Sequence, residues 1–220
     1  DALRLLRAMR FSVQLDFSLE PETLTALKTH APLLEHVSSE RIRDEFLKIL
    51  TSAHAKRGIE LLEETGMLEL ILPELRLAKG VAQGGHHTTD VWTHSLDALQ
   101  VCHSLDPIVR LATLLHDIAK PQTFKLIDGA PTFYNHEIIG SRMAKKIAIR
   151  LRLSNEDCDR IFILVRFHMF HYQPELTDAA IRRMMRTMRL ENIDDMLDLR
   201  EADRLGSGAR WPMCWSGQDS

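Results

Sequence analysis

Cysteine is scarce in this chain, with three in 220 residues. Cys102, Cys158 and Cys214 stand far apart and form no CxxC spacing. That excludes a disulfide framework or a zinc knuckle and predicts reduced thiols in a cytoplasmic protein. Long hydrophobic runs are missing too: no stretch is long enough to span a bilayer and no signal peptide opens the chain, so no membrane partner is expected. There is no Gly-rich phosphate loop and no βαβ alternation, which argues against the nucleotide-binding α/β folds. No sign of charge dominates: the net charge is -3 with eleven histidines counted as neutral. A partner recognised by global charge is thereby excluded, and any RNA contact must come from local basic faces. Internal repeats and low-complexity tracts are absent. There is also no initial Met, and Asp1 already lies in a helical pattern, which predicts a piece of a longer protein.

What is present is a globular composition, 45% hydrophobic and 27% charged, patterned for helices. Ala2, Leu5, Leu6, Met9 and Val13 recur at helical spacing. Glu20-Pro21 opens a second helix, and Ser38 or Ser39 caps a third through Phe46, Leu47 and Leu50. A helix through Ile59, Leu61 and Leu62 should stop at Gly66, since glycine suits a left-handed cap. Residues 67–90 read as irregular, with Pro73, Gly80, Gly84 and Gly85, and a boundary between two helical subdomains is expected there. Beyond it, Asp90 caps a helix through Leu96, Leu99 and Val101, and Asp106-Pro107 starts one that runs to Lys120-Pro121. Asp128-Gly129 predicts a small hairpin between Phe124 and Tyr134. Helices follow at about 136–151, 155–168, 178–189 and 192–204 by periodicity, the second capped by Ser154. After Arg204 a loose tail is expected. The fold class is all-α.

The strongest chemical signal is Leu114-Leu115-His116-Asp117, at the end of an apolar run where such faces are normally buried. Successive helical residues point about 100° apart, which still lets two side chains of different length converge on one ion. His94, His136, His168 and Asp203 each lie on or beside another amphipathic helix. Imidazole and carboxylate without thiolate suit Mn, Fe, Co, Ni or Zn, and Mg if water fills the sphere. A lone histidine on an apolar helix is more often a hydrogen-bonded core residue. It is the order H…HD…H…H…D in separate helices that favours a metal.

These segments resemble a known family. Asp90-Val91-Trp92-Thr93-His94, Arg110 to Pro121 around His116-Asp117, Phe133-Tyr134-Asn135-His136-Glu137 and Glu201-Ala202-Asp203-Arg204 look like the HD domain of bacterial CCA-adding tRNA nucleotidyltransferases, of the poly(A) polymerase superfamily. Asp1-Ala2-Leu3-Arg4, with Leu6-Arg7-Ala8-Met9-Arg10-Phe11, resembles the family's EDxxR segment with its leading Glu missing. Ser39 to Leu50 resembles the following neck helix. The resemblance implies a helical neck at 1–66, an HD phosphohydrolase domain at 67–206 and a tail at 207–220.

It also implies roles. His94, His116, Asp117 and Asp203 would hold a divalent metal ion. Asp117, His136 and His168 would serve catalysis, the two histidines matching positions that hold a second metal or phosphate in some relatives. His171 and the His86-His87 pair are weaker candidates that a solvated loop explains equally well. Asp1 and Arg4 match residues that pair with an incoming base, with Arg7 on the phosphates, so tRNA and the nucleotides CTP and ATP are the implied partners. The stripe Arg4, Arg7, Arg10 and the face Arg182, Arg183, Arg186, Arg189 read either as phosphate contacts or as solvated surface. Lys120 and Arg110 hold either phosphate or nearby carboxylates, and Trp92 and Phe133 either wall the site or belong to the core. The Gly-Ser head with its paired strand carboxylates is absent, so nucleotide addition is not expected of this chain alone. The implied activity is metal-dependent hydrolysis of phosphomonoesters or 2′,3′-cyclic phosphodiesters. The alternative is a tRNA- and nucleotide-recognising module whose HD core is structural and inert.

Overall fold

The computed structural model describes residues 1–84, 89–170 and 177–208. His86, His87, His171 and Cys214 lie outside them. The N-terminal part consists of α1 (Leu3–Gln14), α2 (Pro21–His30), a 3-10 turn (Ala31–His36), α3 (Ser39–Leu50), α4 (Ala55–Glu64), α5 (Met67–Ile71) and α6 (Pro73–Arg76). There follow α7 (Val91–Val101), α8 (Pro107–Leu115), α9 (Lys120–Thr123), a hairpin of β1 (Lys125–Ile127) and β2 (Ala130–Thr132), then α10 (His136–Arg150), α11 (Asn155–Phe167), α12 (Asp178–Met188), a second 3-10 turn (Leu190–Asn192) and α13 (Ile193–Gly206). The all-α expectation holds, with one two-stranded antiparallel sheet among the described residues.

Local chemistry sets these boundaries. Asp90 accepts from the Thr93 amide at 2.9 Å, Asp106 from the Ile108 amide at 2.7 Å, and Ser154 from the Asp157 amide at 3.1 Å. Each side chain satisfies a donor that a helix start leaves orphaned. Gly66 takes φ 78° and ends the α4 turn. Asp128 and Gly129, at φ 50° and 77°, give the hairpin the doubly left-handed turn that matches strand twist.

The expectations need three corrections. Residues 67–76 are helical, because Met67, Leu68, Ile71 and Leu75 are buried and the turn between α5 and α6 absorbs Pro73 at a first helical position. Helix α8 stops at Leu115 rather than running on to Pro121; His116 caps it and a tight turn leads into α9. The segment after Arg204 is not loose at its start: α13 continues through Gly206, which lies against α7. A β-carbon there would stand 2.6 Å from the Ala98 nitrogen.

One apolar cluster runs from Leu3 in α1 to Ala202 in α13, and α3 and α4 pack onto α8 and α7 respectively. Fully burying each Leu, Ile, Phe or Met contributes roughly 1.5–3 kcal/mol. The layers carrying His94 (α7), His116 (end of α8), His136 (start of α10), His168 (end of α11) and Asp203 (α13) converge within this bundle.

Candidate metal centre

Among the described residues, His94, His116 and Asp117 bring one ligand atom each within 4.8 Å of one another, and so do Asp117, His136 and His168. His94 and His116 are wholly buried and Asp117 and His168 nearly so. The His94 Nε2 lies 3.1 Å from His116 Nε2 and 3.1 Å from Asp203 Oδ1. Asp117 Oδ2 sits 3.2 Å from His116 Nε2 and 3.6 Å from His94 Nε2. Its other oxygen, Oδ1, faces His136 Nε2 at 3.4 Å and His168 Nε2 at 3.7 Å. Asp117 therefore stands between two histidine pairs and turns one oxygen to each. Asp203 joins the first pair only.

The helix ends fix the rings. His116 Nδ1 donates to the Thr113 carbonyl at 2.7 Å, His136 Nδ1 to Phe133 at 2.8 Å and His168 Nδ1 to Val165 at 2.8 Å. A carbonyl only accepts, so each Nδ1 carries a hydrogen and each Nε2 points inward. Two inward nitrogens 3.1 Å apart repel unless a cation or a proton lies between them. Burial alone would lower the His116 pKa, yet Asp117 and Asp203 override it and push it up to about 10. Burial and then the His116 charge push His168 down to about 3. The Asp117 carboxyl is held well below the carboxylate range against the opposing effect of burial, by His116 and Lys120, and Asp203 likewise by His116 and His94. A buried set of imidazole nitrogens and ionised carboxylates, with facing atoms 3.1 to 3.7 Å apart, fits a divalent cation.

The surrounding groups orient the carboxylates. Lys120 Nζ contacts Asp117 Oδ2 at 2.6 Å and Gln83 Oε1 at 2.6 Å, and Arg200 holds Asp203 Oδ2 at 2.7 Å. Gly206 lets α13 approach α7 closely, which carries Asp203 to His94. A cleft of about 750 Å³ opens beside His136, lined by Gln83, Lys120, Phe133, Tyr134, Arg166 and Phe167 among others.

Lys120 and Phe133 thus lie at the site. Trp92 instead packs on the core under Lys79. Arg110 does not reach the cleft. It is buried and donates to the carbonyls of Leu50, Cys102 (2.7 Å), Leu99 (3.2 Å), Ser104 (3.3 Å) and Ser52 (3.5 Å), so it holds backbone and not phosphate. Sequence reasoning missed Gln83, Arg166 and Arg200. Arg200 had a readable signal, its i,i+3 spacing from Asp203; Gln83 had none.

The neck residues lie apart from this centre. Asp1 accepts from the Leu3 amide at 3.1 Å and pairs with Arg41 at 2.9 Å. Arg4 and Arg7 are exposed, while Arg10 is drawn to the buried Glu45 at 2.7 Å. On α12, Arg182, Arg183 and Arg186 are exposed. Arg189 leaves the helix at φ 64° and lies among Glu156, Arg160 and Glu191, which corrects the expectation of a four-arginine face.

Residues 91–206 match the family profile of the HD domain, and residues 16–78 match that of the probable RNA and SrmB-binding site of polymerase A. The chain is 40% identical over 223 residues to an A-adding tRNA nucleotidyltransferase of Deinococcus radiodurans, covering 96% of this chain and 50% of that protein. It is 37% identical over 220 residues to a CC-adding tRNA nucleotidyltransferase of Thermus thermophilus, covering 94% and 50%. A multifunctional CCA protein of Azoarcus sp. is 33% identical over 230 residues, covering 98% and 55%. The chain spans about half the length of the curated relatives it matches.

Proposed function

The chain belongs to the HD domain family, and from that premise we propose that it is the neck and HD portion of a tRNA nucleotidyltransferase, acting in tRNA 3′-end processing in the cytoplasm, whose HD centre hydrolyses phosphate esters. The observation that carries the hydrolytic reading is the shared Asp117, with inward Nε2 atoms on both of its oxygens, one of them from His136, which lines an open cleft. In this reading His94, His116, Asp117 and Asp203 hold a divalent ion, one of Mg, Mn, Ni, Co, Fe or Zn. Such an ion, when bound, supplies Lewis acidity and lowers the pKa of a water toward neutrality.

The remaining work falls to the protein. Lys120 fixes the Asp117 carboxylate and, with Gln83, closes the floor of the cleft. Water adds to phosphorus and gives one proton to the inward-facing Nε2 of His136, the ester P–O bond breaks, and the leaving oxygen takes up that proton. His136 lines the cleft and is assigned that proton; His168, buried behind it, orients Asp117 or joins it around a second ion. Substrates are phosphomonoesters or 2′,3′-cyclic phosphodiesters. In the neck, Asp1, Arg4 and Arg7 are assigned to the base and phosphates of CTP or ATP in the longer protein; their exposure supports this. tRNA is the partner, in line with the RNA-binding profile and the relatives' names.

The test combines metal analysis of the purified chain with turnover of p-nitrophenyl phosphate, bis-p-nitrophenyl phosphate and 2′,3′-cyclic AMP in Ni²⁺, Co²⁺, Mn²⁺ and Mg²⁺. Asp117→Ala and His116→Ala should lose both the ion and at least ~100-fold in kcat/KM. Wild-type protein inactive with every metal would leave the HD core a structural element.

A further inference from the structure

Phe167 lines the cleft beside His136. The same ring lines a second groove of about 270 Å³, whose other walls are Ala180, Arg183, Met184, Thr187 and Met188 of α12. Helix α12 buries only Met188 and exposes Arg182, Arg183 and Arg186. Separations of three and four residues place these guanidinium groups on one face. Among the described residues the only ion pair these arginines make is that of Arg182 with Asp178, at 3.9 Å. Several other arginines are closely paired: Arg10 with Glu45, Arg76 with Glu63, Arg150 with Glu74 and Arg160 with Asp195. Among the described residues the face of α12 thus gathers three arginines with a single distant carboxylate partner. It leads through Phe167 to Arg166, which lines the cleft and holds Glu137 only at 3.4 Å.

We propose that α12 is a phosphate track that guides single-stranded RNA into the cleft, so that the phosphate hydrolysed is one at the end of an RNA strand rather than on a free nucleotide. The track supplies cations at Arg182, Arg183 and Arg186, an apolar floor at Met184 and Phe167 on which a base can lie, and Arg166 at the entrance. A cleft of about 750 Å³, open and wider than a lone phosphate needs, leaves room for the terminal nucleoside beside Phe133 and Tyr134. The destination of the track rests on the hydrolase reading; its affinity for RNA does not.

The test uses the whole chain and a short fluorescein-labelled single-stranded RNA bearing a 3′-phosphate. Anisotropy at several salt concentrations compares wild type with the triple variant R182A/R183A/R186A and with R182K/R183K/R186K, each also in an Arg4→Ala/Arg7→Ala background that removes the neck's contribution. Losing three phosphate contacts should flatten the plot of log affinity against log salt by about 2, at roughly 0.7 per contact on a single strand. The lysine variant should keep the slope. An alanine variant with unchanged affinity and slope would overturn the track. Turnover gives the second readout: the alanine variant should raise KM for the 3′-phosphorylated RNA about tenfold or more, as expected for lost charge-assisted contacts, and leave bis-p-nitrophenyl phosphate unaffected. Equal losses on both substrates, or loss on neither, would break the link between track and cleft. If wild type hydrolyses neither substrate, the hydrolase reading fails, and the binding arm alone decides whether α12 holds RNA.

Discussion

In the N-terminal helices the interior is Leu6, Met9, Val13, Phe46, Ile49 and Leu62, and the buried carboxylate there, Glu45, is answered by Arg10 and Lys48 from its own surroundings. In the bundle that follows, His94, His116, Asp117, Lys120, His136 and His168 are buried together. The first arrangement is complete as it stands, because each buried polar group faces an opposite partner. The second places nitrogen against nitrogen at 3.1 Å, which is favourable only with a cation or a shared proton between them. Apolar packing thus accounts for the neck, whereas the bundle tolerates a polar interior that an ion or a shared proton can stabilise.

The largest test of that contrast is Arg110→Ala. Arg110 joins the halves by donating to carbonyls of α3 and of the α7 end, and its removal strands several of them in a buried place. A loss of about 3 kcal/mol or more is expected, since each unmet buried acceptor costs about 1–3 kcal/mol. Urea unfolding would show it; a loss below 1 kcal/mol, on the same scale, would mean that water replaces the guanidinium.

Metal removal comes next. Protein held in Mn²⁺ at a hundred times its dissociation constant should lose about 2.7 kcal/mol on chelation. Hydrogen exchange should place that loss in α7, α8 and α13 and spare α1 to α3. Equal loss of protection in both halves would erase the distinction between them.

The smallest effect concerns Glu45. Burial would raise its pKa, but Arg10 and then Lys48 outweigh it and lower the value below the ordinary 4.5. The stability it contributes is therefore fully present above pH 4.5 and is lost as the pH falls through the lowered folded value. Glu45→Gln should flatten this acid limb of the melting profile. An unaltered limb in the variant would show that Glu45 does not govern it.

The sequence disclosed the helices and the gathering of His and Asp side chains well, for reasons visible at particular residues. Asp90, Asp106 and Ser154 precede apolar runs, so their capping was readable. His116-Asp117 stood out because charge ended an apolar helix. Arg110 was misread since its own spelling is that of a phosphate ligand; only packing reveals that α8 turns it inward. Helices α5 and α6 were hidden because a proline among glycines looks like a loop, while the burial of Leu68 and Leu75 depends on distant elements. That Asp117 serves both histidine pairs is a fact of angle, which no linear spacing encodes.

The carbonyls that hold the imidazoles have a consequence of their own. Thr113 and Val165 lie in the last turns of α8 and α11, where helix geometry leaves oxygens without an amide from the following turn. Those leftover acceptors select which ring nitrogen is protonated, so the centre draws its tautomers from the places where its helices run out. A residue inserted between Thr113 and His116 would leave every ligand present in the chain and yet turn one ring the wrong way. In this protein the length of a helix, as much as the identity of a side chain, decides which ring nitrogen faces inward.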